Sequence, residues 1–228
     1  SGGDWRLLTG LFSMQNLRHG AFSRLPPAHI SEMLKRFTRV PAKRGEAVVT
    51  EGDEGDFYYL IEQGRAQVVR KVGGVDMKIA QLKAGDAFGE EALISNSKRN
   101  ATVTMLADGM LLRLSKDDFN DLLRKPLLRE VDLAGARARI AAGATWLDVR
   151  YPSEYQYDRL PGAVNIPLAE IRNAAGILDA GREYVVYCQT GRRSSAAAFL
   201  LAQRGFQAAV LAGGLAAHPE LEARQGAV

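Results

Sequence analysis

The hydrophobic pattern of this chain changes character near Pro126, and that change limits the folds open to it. Before the seam "RKPLLREVD" (Arg124 to Asp132), short apolar stretches are punctuated by glycines; after it, strand-like and helix-like stretches alternate. Lysine usage breaks at the same place. Every lysine lies at or before Lys125, and residues 131–228 hold ten arginines and no lysine. A length of 228 residues suits two domains of ordinary size. The expected units are residues 1–128 and 129–228, with Pro126 ending any helix that runs into the seam.

The first unit reads as mostly β. A helix is expected over Leu25–Phe37, entered through Pro26 and Pro27. The stretches "AVVTEG", "FYYLIEQG", "RAQVVRKV" and "MKIAQLKAG" follow, separated by Gly52, Gly55, Gly64, Gly73, Gly74 and Gly85. Short strands with glycine turns indicate a β-barrel or sandwich. "ATVTMLADGMLLRLS" predicts a hairpin turning at Asp108-Gly109, and "KDDFNDLLRK" a closing helix.

In the second unit, "LAGARARIAAG", "PLAEIRNAAGIL" and "SSAAAFLLAQRG" read as helices and "TWLDV", "EYVVYC" and "QAAVLAGG" as strands. Strand and helix in series predict a parallel sheet covered on both faces.

Composition excludes several functions. A net charge of +4 without a dense basic run gives no basis for nucleic-acid binding. The single cysteine excludes an intrachain disulfide, and His19, His29 and His218 lack ligand spacing, so no metal site is expected. No apolar run approaches the roughly 20 residues of a membrane span. The start, Ser1-Gly2-Gly3, reads as a trimmed end, no secretory signal is visible, and a cytoplasmic setting that keeps a lone thiol reduced is expected.

That thiol, Cys188, directly follows the apolar run "YVVY" and precedes a helix. It should sit at the C-terminal end of a parallel strand, where open α/β sheets place their sites. Loop N–H groups, the helix N-terminus and the charges of Arg192 and Arg193 all favour thiolate over thiol. Cysteine phosphatases place five residues between cysteine and arginine; here four separate Cys188 from Arg193, a smaller cradle that suits one sulfur atom better than a phosphoryl group. These residues, with "WLDVRYPSEYQYDRLPGAVNIPL", resemble a rhodanese-type sulfurtransferase domain over about residues 132–228. The motifs fall on Asp148-Val149-Arg150, Pro152–Tyr155, Pro161–Pro167 and the loop Cys188, Gly191, Arg193. Asp158-Arg159 depart from the family's usual Gly-His. By this resemblance Cys188 carries sulfane sulfur as a persulfide from a small-molecule donor to a thiol or cyanide acceptor. The candidate catalytic residues are Cys188, Gln189, Thr190, Gly191, Arg192, Arg193 and Asp148, with Arg193 expected to serve the thiolate and the anionic donor and Arg192 to be exposed and to matter less, mainly for donor attraction. Asp148 at a strand end is also open to a purely structural capping role.

"GDAFGEEALISNSKRNATV" (Gly85 to Val103) supplies a second candidate site. A short helix after Gly89 offers N–H groups to an anion, Arg99 supplies a guanidinium fork, and Glu90 suits a ligand that also carries a hydroxyl. The stretch resembles the phosphate cassette of cyclic nucleotide-binding domains, a resemblance spanning about residues 9–125. It implies Glu90 on the ribose 2′-OH, Arg99 on the cyclic phosphate, backbone contacts from Gly89, Ala92 and Ala101, and Asn100 where the family sometimes reads the base, leaving cyclic AMP and cyclic GMP both open. Glu91 and Lys98 depart from the family's apolar residue and proline.

The fold expected is therefore an N-terminal β-roll with flanking helices followed by a C-terminal α/β unit with a parallel sheet. The function expected is a sulfurtransferase with a regulatory cyclic nucleotide domain; the alternative is a non-catalytic sensor or partner-binding module responding to nucleotide or redox state. Because little chain follows the β-roll, the nucleotide base is expected to be capped by the Leu127–Asp132 linker or by the second domain; the alternative is a simple fusion of independent domains.

Overall fold

The computed structural model describes residues 25–174 and 176–221 and the backbone of 224–225; His19 and the first part of the expected β-roll lie outside the described residues. The described chain divides into two compact units, 25–123 and 124 onward.

The first unit begins with helix α1 (Pro27–Arg36), which has proline in its first turn and Lys35 and Arg36 in its last, where they suit the dipole. The strands β1 (Thr38–Ala42), β2 (Ala47–Val49), β3 (Phe57–Gln63), β4 (Arg65–Val72), β5 (Val75–Lys83) and β6 (Ala87–Phe88) follow. Helix α2 (Glu90–Ser95) interrupts them before β7 (Thr102–Met105) and β8 (Gly109–Ser115). They form two antiparallel four-stranded sheets, ordered β1-β8-β3-β6 and β2-β7-β4-β5. All eight strands feed one core cluster: Ala42, Val49, Tyr59, Ile61, Ala66, Leu82, Phe88, Val103, Met105 and Leu111. Each large apolar side chain buried there contributes about 1.5–3 kcal/mol.

The expected hairpin at Asp108-Gly109 does not form. β7 pairs with β2 and β4, whereas β8 pairs with β1 and β3, so the chain crosses from one sheet to the other at this point. The glycine serves close approach rather than a tight turn: a Cβ on Gly109 would lie 2.2 Å from the Gln63 carbonyl oxygen. The Asp108 carboxylate accepts the backbone N–H of Arg44, fixing the corner.

Pro126 does not end the closing helix. α3 (Lys116–Phe119), capped by the Ser115 side chain, passes into a wide π-turn over Asn120–Arg124 and on into α4 (Lys125–Leu127). Proline in the first turn of α4 removes an N–H that a first turn leaves unpaired in any case, and the helix ends one residue past it, where Leu128 N–H donates to Arg124 O at 2.8 Å.

The expected linker is also built structure. Arg129–Val131 form strand β9, paired in parallel with a later strand, and Asp132 caps α5 (Leu133–Ala141) by accepting from Gly135 N–H at 2.7 Å. Then come β10 (Thr145–Asp148), α6 (Pro152–Tyr157), β11 (Asp158–Arg159), β12 (Val164–Asn165), α7 (Ile171–Ala174), β13 (Glu183–Tyr187), α8 (Arg192–Gln203), β14 (Gln207–Leu211) and β15 (Arg224–Gln225). The helix expected over Pro167–Leu178 is a 3-10 turn (Leu168–Glu170) followed by α7, which ends at Ala174.

The sheet β12-β10-β13-β14-β9 is parallel throughout. Its strands send alternate side chains to two cores. Leu147, Tyr184, Val186, Cys188 and Val210 join the side covered by α8, while Trp146, Val185, Tyr187, Ala209 and Leu211 join the other, with Ala136 of α5. Helix α8 ends as Gly205 suggests. Gly205 adopts φ +83°, and the Phe206 N–H returns to Leu201 O at 3.1 Å.

Asp148 and Arg150, 0% and 2% exposed, form a buried ion pair at the end of β10. Arg150 Nε and Nη2 donate to the Asp148 carboxylate, while Nη1 and Nη2 donate to the Asp158 carboxylate and carbonyl at 2.9 and 2.7 Å. Burial works against the Arg150 charge, but the hydrogen bonds to Asp148 and Asp158 outweigh it and hold the guanidinium above its ordinary range. Arg150→Leu leaves Asp148 buried without its cation. Urea unfolding of the full chain, followed by tryptophan fluorescence, should show about 3–5 kcal/mol of destabilisation; an unmoved midpoint would mean that the pair is not held as charged, buried partners.

Candidate functional site

Strand β13 is buried on both faces and ends at Tyr187, so the chain delivers Cys188 to the sheet's C-terminal edge at the start of α8. The Cys188 sulfur lies inside its own loop. Sγ accepts the Gly191 N–H at 3.1 Å and the Ser194 N–H at 3.4 Å, and it lies 3.3 Å from the Ser194 hydroxyl. Gly191 makes the turn possible at φ +92°, and Ser195 Oγ locks it by donating to Gly191 O at 2.6 Å. Gln189, Thr190 and Arg192 are exposed on the rim; Cys188 itself has no exposed surface.

A second loop supports the first. Leu215 N–H donates to Cys188 O at 3.0 Å and Ala216 N–H to Gln189 O at 2.9 Å. The approach requires glycine: a Cβ on Gly214 would lie 2.5 Å from Cys188 O and 2.7 Å from Gln189 C. Sequence reasoning treated Gly213-Gly214 only as the end of a strand. Their paired occurrence at a parallel strand's C-terminal end was the available signal for a close backbone approach.

Arg193 turns towards α6. Its Nη1 and Nη2 donate to the two carboxylate oxygens of Glu154 at 2.6 and 3.0 Å, and the guanidinium lies 5.4 Å from the Tyr151 ring centroid. The hydrogen bonds from Arg193 hold Glu154 below the ordinary carboxylate range, against a smaller opposing effect of burial. In return, the hydrogen bonds to Glu154 hold the Arg193 guanidinium above its ordinary range, against a smaller opposing effect of burial. Glu154 lies inside the quoted motif but had no assigned role. Asp148 is brought to the same sheet edge, in register with Tyr187, yet its carboxylate is engaged by Arg150. Asp158, at the departure from the usual Gly-His, acquires a role as the second partner of Arg150.

In the first unit, Gly89 precedes α2 at φ +95°. Arg99 is 5% exposed and folds back against it: Nη1 donates to Gly89 O at 2.8 Å, and Nη2 donates to Phe57 O at 2.7 Å and Asp56 Oδ1 at 3.1 Å. A Cβ at Gly89 would meet Arg99 Nη1 at 2.8 Å, so glycine serves both the turn and the arginine. Glu90 is buried at 1% exposure, and Ala92 is buried beside it. Asn100 is exposed and donates to Glu91, while Ala101 is half-buried at the entry to β7. The cassette residues therefore converge on the first turn of α2. Asp56, 43 positions from Arg99, gave no sequence signal.

These two sites define two domain classes. Residues 39–125 match the family model for the cyclic nucleotide-binding domain, and residues 132–218 match that for the rhodanese-like domain. The chain is a cyclic nucleotide-binding domain followed by a rhodanese-like domain. The chain is 47% identical over 79 residues to a cAMP-dependent protein kinase regulatory subunit of Yarrowia lipolytica, covering 35% of this chain and 20% of that protein. It is 31% identical over 119 residues to the cyclic AMP receptor protein of Thermus thermophilus, covering 52% and 55%. The regulatory domain of Toxoplasma gondii PKA, solved with cAMP, shares its fold at a TM-score of 0.50 and 23% identity, covering 62% of this chain and 49% of that one. The chain thus spans between about a fifth and about half the length of these relatives. No helix among the described residues is long and apolar enough to cross a membrane.

Gly214→Ala should disrupt the thiol loop, because backbone atoms of Cys188 and Gln189 stand where the new methyl must go. Gly162 is the control: it has φ +75° but nothing within 4 Å of a built Cβ. In urea titration, Gly214→Ala should lose more stability than Gly162→Ala, whose cost is the backbone strain of about 1–3 kcal/mol. Equal losses would remove the close approach as the reason for glycine.

Proposed function

We propose that this chain is a sulfurtransferase in which Cys188 carries sulfane sulfur as a persulfide, under the regulation of a cyclic nucleotide bound to the first domain. The observation that carries the reading is the set of groups gathered on Sγ: two loop N–H donors, with the Ser194 hydroxyl 3.3 Å away. Such a cradle stabilises a sulfur anion at the sheet edge before and after transfer. The thiolate attacks the outer sulfur of a donor such as thiosulfate. A Cys188 S–S bond forms, the donor's S–S bond breaks, and its electron pair leaves with sulfite. Cyanide or a thiolate then takes the outer sulfur and regenerates the Cys188 thiolate. Asp148, through Arg150, holds the neighbouring strand end in place. A reduced thiol with this task suits a cytoplasmic setting.

One observation favours a second reading, a non-catalytic sensor or docking domain: Cys188 has no exposed surface. On the catalytic reading the rim at Gln189 and Thr190 moves to admit the donor. Cys188→Ser separates the two. With thiosulfate and cyanide, the wild-type chain should form thiocyanate and the variant none, at unchanged far-UV circular dichroism. Transfer retained by the variant, or absent from the wild type, removes the catalytic reading.

For the first domain, the reading places Arg99 on the cyclic phosphate and Glu90 on the ribose 2′-OH, with Gly89, Ala92 and Ala101 offering backbone and Asn100 near the base. All three relatives named above carry cyclic AMP in their names or titles, which makes it the first nucleotide to test, with cyclic GMP beside it. Titration calorimetry of Arg99→Ala should show binding weakened by about 2–5 kcal/mol, the effect of removing one partner of a desolvated charge pair. Unchanged affinity would overturn the assignment.

A further inference from the structure

We propose that Arg192, rather than Arg193, meets the anionic end of the sulfur donor, and that Arg193 acts only by positioning the thiol loop. The inference rests on the reading of Cys188 as a sulfur carrier and deepens it by dividing the work of the two adjacent arginines.

Arg193 is already engaged. Its two terminal nitrogens are taken by the two oxygens of Glu154, and its guanidinium carbon lies over the Tyr151 ring, 5.4 Å from the centroid. A planar fork binds an oxyanion through the same edge that holds a carboxylate. An incoming sulfonate therefore has to displace Glu154, a fixed intramolecular competitor. The pair instead joins the start of α8 to α6, and its neighbour in the chain, Ser194, touches the Cys188 sulfur.

Arg192 differs in every respect. It is the first residue of α8, directly after Gly191, whose N–H donates to Sγ. It is exposed, and among the described residues no hydrogen bond or ion pair engages its guanidinium. Its charge adds to the partial positive charge of the helix start, one residue from the Gly191 N–H that meets Sγ. When the thiolate takes the outer sulfur of thiosulfate, the departing group is the dianion sulfite. A solvent-exposed cation beside the loop can receive that charge and release it.

The test uses the full chain with cyanide as acceptor and two donors of different charge: thiosulfate, a dianion, and methanethiosulfonate, a monoanion that leaves as methanesulfinate. Arg192→Gln should raise the KM for thiosulfate about three- to fivefold, the size set by an exposed ion pair, with kcat changing less. Its KM for methanethiosulfonate should rise less, and the salt dependence of kcat/KM should flatten. Arg192→Lys, which keeps the charge, should restore the thiosulfate KM. Arg193→Gln should lower kcat more than it raises KM. A thiosulfate KM unchanged in Arg192→Gln, or raised only in Arg193→Gln, overturns the division of roles while leaving Cys188 as carrier. A wild-type chain that transfers sulfur from neither donor overturns both.

Discussion

The buried pair of Arg150 and Asp148 organises the second domain. A guanidinium at 2% exposure is tolerable only when its donors are matched, and here they go to Asp148, the Asp158 carboxylate and the Asp158 carbonyl. The match ties the end of β10 to β11. Asn165 adds a clamp by donating to Asp148 O and Arg150 O, both at 3.0 Å. The sheet edge that presents Cys188 is thus held by polar contacts whose loss would strand a buried charge, a stiffer constraint than apolar packing alone.

The two domains reach similar local solutions from unrelated folds. In each, a glycine in the left-handed region, Gly89 at φ +95° or Gly191 at φ +92°, turns the chain out of a strand and into a helix. In the thiol loop that geometry brings the Gly191 and Ser194 N–H groups onto Sγ. In each, an arginine near the turn is held by a carboxylate from elsewhere in the domain: Arg99 by Asp56 and Arg193 by Glu154. The carboxylates keep the guanidinium groups oriented in a partly desolvated setting. In the thiol loop, such a hold also removes an anion-binding edge from use.

Much of the architecture was legible from local pattern. The continuous apolar run of β13 and the glycines between short strands reflect burial and turn geometry, which act over a few residues. The thiol loop was legible as a strand–loop–helix turn for the same reason, since Cys188 and Gly191 lie within four residues, whereas the Ser194 contact on Sγ appeared only in the structure. Where local rules compete with long-range contact, they misled. Asp108-Gly109 carries hairpin chemistry, but its glycine answers to Gln63, on a strand far away in sequence. Pro126 reads as a stop, but a π-turn before it lets the helix continue.

The sequence by itself determined which residues could do chemistry: one thiol, one glycine-led helix beside it, and a cassette pairing a carboxylate with an arginine. Only the tertiary structure decided how those groups are employed. It placed Glu154 against Arg193 across 39 positions and Asp56 against Arg99 across 43, and it set Gly214 beneath the Cys188 carbonyl. The physical reason is range. Propensity and periodicity are properties of neighbouring residues, whereas the partner of a charge or the space beside a glycine is fixed only when distant strands and loops pack together.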